Sequence, residues 1–214
     1  MPLADRSAHV PVADVPDPPL TAGAPYWYWL GGRPALDLDN TLRERWNRRI
    51  ECLVTPADLG GWLVAAGVLD AAPARIPRAV LDEARDLREA IDSCVEAAVA
   101  GVPPDPDAIL AIDRWLILAG PRPALFLDAD EQPVLAERPA ADSPRRALGQ
   151  IALDAAEMLG TPESRARIRI CASDTCSARF YDRSPAGRRR WCSMQACGNA
   201  AKARRHRARA RADA

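Results

Sequence analysis

Hydrophobic residues recur at three- and four-residue spacing in several segments of the chain, and this spacing predicts helices. The longest predicted helix spans residues 78–100. A shorter one starts after Thr55, a typical helix-capping residue, and stops at Gly67. Two more helices are predicted, one ending at Gly120 and one starting after the capping residue Ser143. The middle of the chain is therefore predicted to be largely helical.

Other segments have alternating apolar and polar residues, the pattern of strands. Residues 24–41 predict a hairpin whose second strand is residues 35–39, and a short apolar strand is expected over residues 52–54. The run PALFLDADEQPVLAE predicts another hairpin that turns at residues 128–133, and a strand over residues 165–170 leads to a cysteine. Helices and strands in this mixture predict an α+β fold.

The N-terminal segment differs from the rest of the chain. Residues 1–22 contain five prolines and no periodic apolar pattern, so a disordered leader is expected there. The chain has no run of about 20 apolar residues that would predict a membrane segment, and no export signal is evident. We therefore expect a cytoplasmic protein. The predicted organisation is the leader, a body over residues 23–163 and a small C-terminal module over residues 164–214.

Charge is distributed unevenly between the last two of these parts. The chain has 29 basic and 29 acidic residues, but residues 164–214 hold 14 basic and only 3 acidic ones. The module therefore carries a net charge of +11 and the rest of the chain −11. A basic segment of this kind is typical of contact with nucleic acid, a membrane surface or an acidic protein.

Four of the six cysteines are concentrated in the basic module. Cys171, Cys176, Cys192 and Cys197 form two C-x4-C pairs separated by fifteen residues. Paired thiolates can surround one zinc ion tetrahedrally, and a site filled by four cysteines is structural rather than catalytic. We therefore expect one structural Zn²⁺ on which the folding of the module depends, with a redox dithiol or an iron–sulfur cluster as alternatives.

The residues around these cysteines closely resemble the CGNR zinc finger. The resemblance covers about 40 residues, from the first C-x4-C pair through F-x-D-x-S and R-R-W-C-S-M to C-G-N. Its positions include Phe180, Asp182, Trp191 and Lys202. One position departs from the pattern, because Ala200 stands where the family has its name-giving arginine.

The body resembles the ABATE domain that usually precedes this finger. The resemblance rests on the L-D-L-D-N-T run at residues 36–41, the TPADL helix start and the LREAI segment. Proteins of this arrangement are described as stress-induced transcription regulators with a ligand-sensing body. The resemblance implies that role for this chain.

The basic residues of the module are candidates for DNA contact. Arginine predominates, which suits bidentate contacts to phosphate or guanine, and the Ala/Arg composition after Cys197 predicts a basic helix, as in treble-clef-like fingers. The predicted contact residues are Arg188, Arg189, Arg190, Lys202, Arg204, Arg205 and Arg207. Two alternatives are a solvated tail that binds polyanions without selectivity, and a tail that docks on the acidic body and masks its own basic face.

Catalytic groups are scarce in the body. The two histidines are His9 and His206, one in the leader and one in the basic tail, and no phosphate-binding glycine loop occurs, so we expect the protein not to be an enzyme. A polar cluster of Arg33, Asp37, Asp39 and Asn40 could bind a small molecule or could brace a turn. The predicted function is transcription regulation through DNA, and the alternative is a zinc-stabilised module for protein or RNA interaction. Oligomeric state is left open.

Overall fold

The computed structural model describes residues 27–120, 122–138 and 143–212, so the predicted leader at residues 1–22 lies outside the described part. The described residues form an α+β fold with seven helices and three small antiparallel sheets, as the sequence predicts. The helices are α1 (Pro34–Asp39), α2 (Pro56–Ala65), α3 (Arg78–Ala100), α4 (Pro106–Leu116), α5 (Pro144–Gly160), α6 (Pro162–Arg165) and α7 (Asn199–Ala212). The sheets pair β1 (Leu42–Arg43) with β2 (Ile50–Glu51), β3 (Arg122–Leu127) with β4 (Pro133–Arg138), and β5 (Ile168–Ile170) with β6 (Arg179–Tyr181).

Helix α3 lies at the centre of the body, against α1, α4 and α5. Its apolar face includes Leu81, Leu87 and Ile91, each at most 1 % exposed. Cys94 lies on this face and is buried, as the sequence predicts for a small hydrophobic residue. The helix ends at Gly101, whose φ of 70° is a left-handed conformation that glycine adopts without a steric penalty.

The predicted helices of the body are confirmed. Helix α2 begins at Pro56 with Thr55 as its N-cap, and the Thr55 and Asp58 side chains bond each other's backbone N–H groups in a capping box. Ser143 caps α5 in the same manner, by accepting a hydrogen bond from the backbone N–H of Arg146. Helix α4 ends at Leu116, close to the predicted stop at Gly120.

The hairpin predicted over residues 24–41 is wrong, because residues 27–30 of its first strand have no regular secondary structure and its second strand, residues 35–39, forms helix α1. Its alternating pattern would place Asp37 and Asp39 on a solvated strand face, but both aspartates are buried. They are buried because they have partners inside the protein, so their polarity does not mark a solvent-facing side. A short apolar run is ambiguous between helix and strand when periodicity is the only signal.

The predicted strand at residues 52–54 is also displaced. The strand that forms is β2 (Ile50–Glu51), which pairs with β1 across a turn in which Glu44 and Arg49 adopt positive φ. The backbone N–H of Cys52 donates to the carbonyl of Thr41 beyond the end of this ladder. Cys52 itself is buried, as expected for a core residue.

The hairpin of β3 and β4 is confirmed, with its turn at the predicted place. Asp128 closes the turn by accepting hydrogen bonds from the backbone N–H groups of Asp130 and Gln132. Leu125, Leu127 and Leu135 remain mostly exposed on this hairpin. The hairpin therefore adds little to the core.

Beyond the body, the chain enters the cysteine-rich module through α6, a short helix that periodicity did not predict. Strand β5 confirms the expected strand before Cys171. A π-helical turn, Met194–Gly198, leads directly into α7, which confirms the predicted basic helix. Among the described helices, none combines the length and the apolar character that a bilayer crossing requires.

The Thr55 cap gives the first testable prediction. Replacing Thr55 by alanine removes the acceptor for the Asp58 N–H and should lower the free energy of unfolding by about 1 kcal/mol. Urea denaturation monitored by circular dichroism measures this change, with an unchanged dependence on urea concentration. A loss below about 0.3 kcal/mol would show that the cap contributes little to α2.

Candidate metal centre and nucleic-acid interface

The four cysteines of the module converge on one point. Their sulfur atoms all lie within 4.8 Å of one another. The Sγ atoms of Cys176 and Cys192 are 3.8 Å apart, and those of Cys192 and Cys197 are 3.7 Å apart. Cys176 is partly exposed and the other three are buried. No disulfide joins any of these cysteines in the described structure.

This spacing fits a zinc ion. Zinc binds thiolate sulfur at about 2.3 Å, and a regular tetrahedron with that bond length has sulfur atoms about 3.8 Å apart. The two measured sulfur distances agree with this value. All four positions are taken by cysteine, so the cluster provides one closed, structural zinc site, as predicted.

Local backbone structure delivers the first cysteine pair. Strand β5 ends at Ile170, and the next residue, Cys171, bonds through its N–H to the carbonyl of Ala178. Between the two cysteines, the N–H of Cys176 donates to the carbonyl of Ser173, which closes a turn. The Ala178 N–H then points at the Cys176 sulfur at 3.5 Å. Such N–H···S contacts stabilise negative charge on a thiolate.

The second pair is delivered by the π-helical turn. The N–H of Gly198 donates to the carbonyl of Ser193, a bond that spans five residues and tightens the chain between Cys192 and Cys197. A Cβ atom at Gly198 would lie only 2.5 Å from the sulfur of Met194. A side chain at Gly198 would therefore require the exposed side chain of Met194 to move aside.

Several contacts join the two cysteine pairs into one unit. The backbone N–H of Ala172 donates to the carbonyl of Arg190, and the guanidinium of Arg189 donates to the carbonyl of Cys192 at 2.6 Å. The same guanidinium lies 4.9 Å from the centre of the Phe180 ring. Asp182 accepts the N–H of Arg189 at 2.8 Å. The family positions Phe180, Asp182 and Arg189 thus form the internal support of the finger.

Charge stabilisation at this support is reflected in the pKa of Asp182. Burial alone would raise the pKa of Asp182, but hydrogen bonds from Ser184 and the N–H of Arg189 outweigh it and lower the pKa. By contrast, burial raises the pKa of Cys52 to about 12 and that of Cys94 to about 11, so these two remain neutral thiols in the core.

The structure divides the predicted DNA-contact residues into two groups. Arg188 and Arg190 are exposed just before the second cysteine pair, and Lys202 and Arg207 are exposed on α7 just after it. The side chain of Arg204 instead lies against the finger. Its Nη1 forms an ion pair with Oδ1 of Asp174 at 2.7 Å, and its Nη2 donates to Ser173 Oγ at 3.3 Å. Arg189 is also exposed, but its guanidinium donates to the carbonyl of Cys192, and the side chain of Arg205 lies outside the described part. The assignment of these residues to DNA contact stays a prediction.

Ala200, the departure from the family pattern, is exposed at the second position of α7. Arg204 lies one helical turn further on, and its contact with Asp174 joins α7 to the turn between Cys171 and Cys176. Masking of the tail by the acidic body is a separate hypothesis and stays a prediction. The contacts described for Arg204 are within the finger.

The predicted ligand cluster of the body is spread over several contacts. Arg33 pairs with Asp154 of α5, and Asp37 accepts the N–H of Gly31. Asp39 pairs with Arg45 at 2.7 Å. Asn40 bonds the backbone of Arg179 in the finger. These side chains brace the corner around α1 instead of lining one open face, and their assignment to a ligand stays a prediction.

The fold and the sulfur cluster together define a class of protein, an α+β body joined to a C-terminal four-cysteine zinc finger. The model of the ABATE family, described as "Putative stress-induced transcription regulator", matches residues 32–162, and the CGNR zinc finger model matches residues 167–210. The chain therefore belongs to the ABATE family and carries a CGNR zinc finger. A comparison with curated proteins finds no match.

Sequence analysis missed a group of buried charges where the body meets the finger. Asp39 and Asp92 lie among Arg45 and Arg179, and the side chains of Asp39 and Arg179 are fully buried. Glu89 and Glu96 complete the group as partners of Arg45 and Arg179. A charged residue in a helix or strand gives no sequence signal of burial unless its partner is known, and the partners of Arg45 and Arg179 on α3 are distant in sequence.

Two buried carboxylates of this group have raised pKa values. Burial, and after it repulsion from Asp92, raise the pKa of Asp39 to about 7 against the attraction of Arg45 and Arg179. Burial also raises the pKa of Asp92. The Oδ2 atom of Asp39 is buried without a hydrogen-bond partner and lies 3.7 Å from Nε of Arg179.

The zinc site gives the second prediction. Cys192→Ser should remove one ligand, release zinc and unfold the finger, because the module has few apolar residues to hold it without metal. Cys94→Ser is the matched control, since it replaces a buried cysteine outside the cluster and should keep one zinc per chain. Metal analysis and near-ultraviolet circular dichroism measure both variants. Full zinc content in Cys192→Ser would contradict the four-cysteine site.

The pH dependence of stability gives the third prediction. The folded-state pKa of Asp39 lies above the ordinary value of 3.8, so its stabilising contribution is present at low pH and is lost as the pH rises through about 7. The free energy of unfolding of the zinc-loaded protein should therefore fall between about pH 5 and about pH 8. Asp39→Asn should flatten this slope, and Asp113→Asn, which changes an exposed aspartate of α4, should leave it intact. An equal slope in Asp39→Asn would refute the assignment.

Proposed function

We propose that the protein is a transcription regulator that binds DNA through its zinc finger. The observation that carries the proposal is the set of exposed cations on both sides of the zinc site. These residues are Arg188, Arg190, Lys202, Arg207 and Arg209. The finger supports them rigidly on a metal-held scaffold, which lowers the entropy lost on binding a charged surface.

The geometry of α7 suits a DNA groove. The helix starts two residues after the last zinc ligand. Arg204 lies on the side of the helix that faces the finger, where it pairs with Asp174. Lys202 and Arg209 are seven residues apart and so lie on one stripe, which faces away from the Arg204 side. A single helix fits the major groove of B-DNA, which is about 12 Å wide.

The loop before the second cysteine pair supplies the remaining charge. Arg190 lies against the Trp191 ring, 5.3 Å from its centre, and this contact limits the positions of its guanidinium. Five phosphate contacts would give a slope of about −4.5 in the logarithm of affinity against the logarithm of salt concentration. Phosphate contacts provide affinity, whereas sequence preference requires contacts to base edges.

The proposal gives the body a regulatory rather than a catalytic role. The ABATE match supports regulation, and sensing of a small molecule by the body is part of the proposal. A ligand that binds the folded body should raise its thermal denaturation temperature. Thermal denaturation of the zinc-loaded chain, followed with a dye in the presence of different metabolite classes, tests small-molecule sensing. A denaturation temperature that no class changes would contradict it.

DNA binding gives the fourth prediction. The double variant Lys202→Glu with Arg209→Glu should bind duplex DNA at least about tenfold more weakly than wild type, and its salt slope should be smaller by about 2. Arg75→Glu with Arg114→Glu is the matched control, because it makes the same change in net charge on the body. Fluorescence anisotropy with labelled DNA measures affinity, and equal losses in the two variants would refute a specific contact through α7.

Site selection from random DNA separates specific readout from unselective binding. Enriched sites that survive competitor DNA support a sequence-specific regulator. Binding that competitor DNA removes entirely, or stronger binding to RNA, favours the alternative of a zinc-stabilised interaction module. Ala200→Arg restores the family residue, and a gain of selectivity in this variant would assign base readout to that position.

A further inference from the structure

The L-D-L-D-N-T run of the body ends at a contact with the finger. Asn40 bonds both backbone groups of Arg179, because its Nδ2 donates to the carbonyl at 2.9 Å and its Oδ1 accepts the N–H at 2.8 Å. Arg179 begins strand β6, three residues after the zinc ligand Cys176. The side chain of Asn40 thus makes the two backbone hydrogen bonds to Arg179 that a neighbouring strand would make.

The side chain of Arg179 enters an acidic recess of the body. Its guanidinium is fully buried and pairs with Asp92 at 2.6 Å and Glu96 at 2.9 Å, both on α3. A third carboxylate, Asp39 at the end of α1, lies 3.7 Å away. The ring of Trp46 lies over the same guanidinium, 5.4 Å from centre to Cζ.

The recess holds more carboxylates than cations of the body. Asp39, Glu89, Asp92 and Glu96 surround two guanidiniums, and one of these, Arg45, belongs to the body. If Arg179 left the recess, Arg45 would be the remaining partner for Asp39 and Asp92. Removal of one partner from a buried ionic group leaves a charge without compensation, so the group favours the docked finger.

Other bonds align the same edge of the finger with the body. The N–H of Tyr181 donates to the carbonyl of Gly31 at 2.8 Å, and the N–H of Arg45 donates to Ser177 Oγ at 3.0 Å. Leu30 packs into the apolar cluster around the zinc ligands. The segment from Ser177 to Tyr181 is therefore attached to the body along its whole length.

From this segment, a chain of contacts reaches the exposed cations. The carbonyl of Ala178 accepts the N–H of Cys171, which fixes the turn that carries Asp174. Asp174 pairs with Arg204 of α7. A displacement of β6 would thus move the turn against which α7 is held.

We propose that Arg179 is a positioning residue through which the ABATE body sets the placement of the finger and so its affinity for DNA. This inference rests on the proposed function and deepens it, because it gives the D-N-T corner of the body a regulatory role as the docking site of the finger. A body whose α1–α3 corner changes shape would release the guanidinium and alter DNA binding without touching the zinc ligands.

The test compares full-length, zinc-loaded variants. Arg179→Met keeps the length of the side chain and removes its charge, and Asp92→Asn removes the main partner. Each single variant should bind DNA about tenfold more weakly while it keeps one zinc per chain, and the double variant should be no weaker than either, because both remove one interaction. Arg169→Met is the matched control, since it removes a positive charge from β5, the strand paired with β6, and its described partners are carbonyls within the finger.

Glu96→Gln provides a milder change should Arg179→Met fail to fold, because Glu96 is more than half exposed. Arg179→Lys should recover part of the affinity, since it restores the charge without the two-pronged guanidinium. Wild-type affinity in zinc-loaded Arg179→Met, or strictly additive losses in the double variant, would overturn the inference.

Hydrogen exchange separates this inference from the proposed function. The amides of Arg179 and Tyr181 should exchange faster in Asp92→Asn and Glu96→Gln than in wild type. The amide of Gly198 should also exchange faster in these variants. If wild type binds no DNA, the proposed function fails. Unchanged exchange at β6 would refute the docking role whatever the DNA result.

Discussion

The finger depends on the requirement that four thiolates meet around one zinc ion. This requirement brings together residues 171 and 197, which few apolar side chains would otherwise hold in place. The π-helical turn at Met194–Gly198 and the start of α7 follow from it, because the helix starts two residues after the last ligand. The direction of the basic helix is thus set by metal coordination.

The finger is continuous with the body through β5 and β6. Ile168 and Tyr181 pack in the core of the body, and Leu30 of the body packs with the zinc ligands. A separate domain is the natural interpretation of a cysteine-rich module with its own charge. The contacts instead join the two parts through a buried ionic group, in which Arg179 of the finger is compensated by Asp92 and Glu96 of the body.

Sequence patterns predicted the long and strongly periodic elements well. Helix α3 begins and ends at the expected residues, and the caps at Thr55 and Ser143 are confirmed, because these signals are local. Helix α1 was predicted as a strand because its six residues are too few to establish a period. Its aspartates are buried although they are polar, since Asp37 accepts a hydrogen bond from Gly31 and Asp39 pairs with Arg45 only once the chain has folded.

The sequence by itself determined the zinc ligands, the charge of the tail and the family, because spacing and residue type are sufficient for metal coordination and for a net charge. Only the tertiary structure decided which cations face outward. Arg204 and Arg179 look like other arginines of the module in sequence, but one holds α7 to the finger and the other is buried in the body. The physical reason is that an ion pair depends on where both partners lie in space, and that placement is a property of the whole fold.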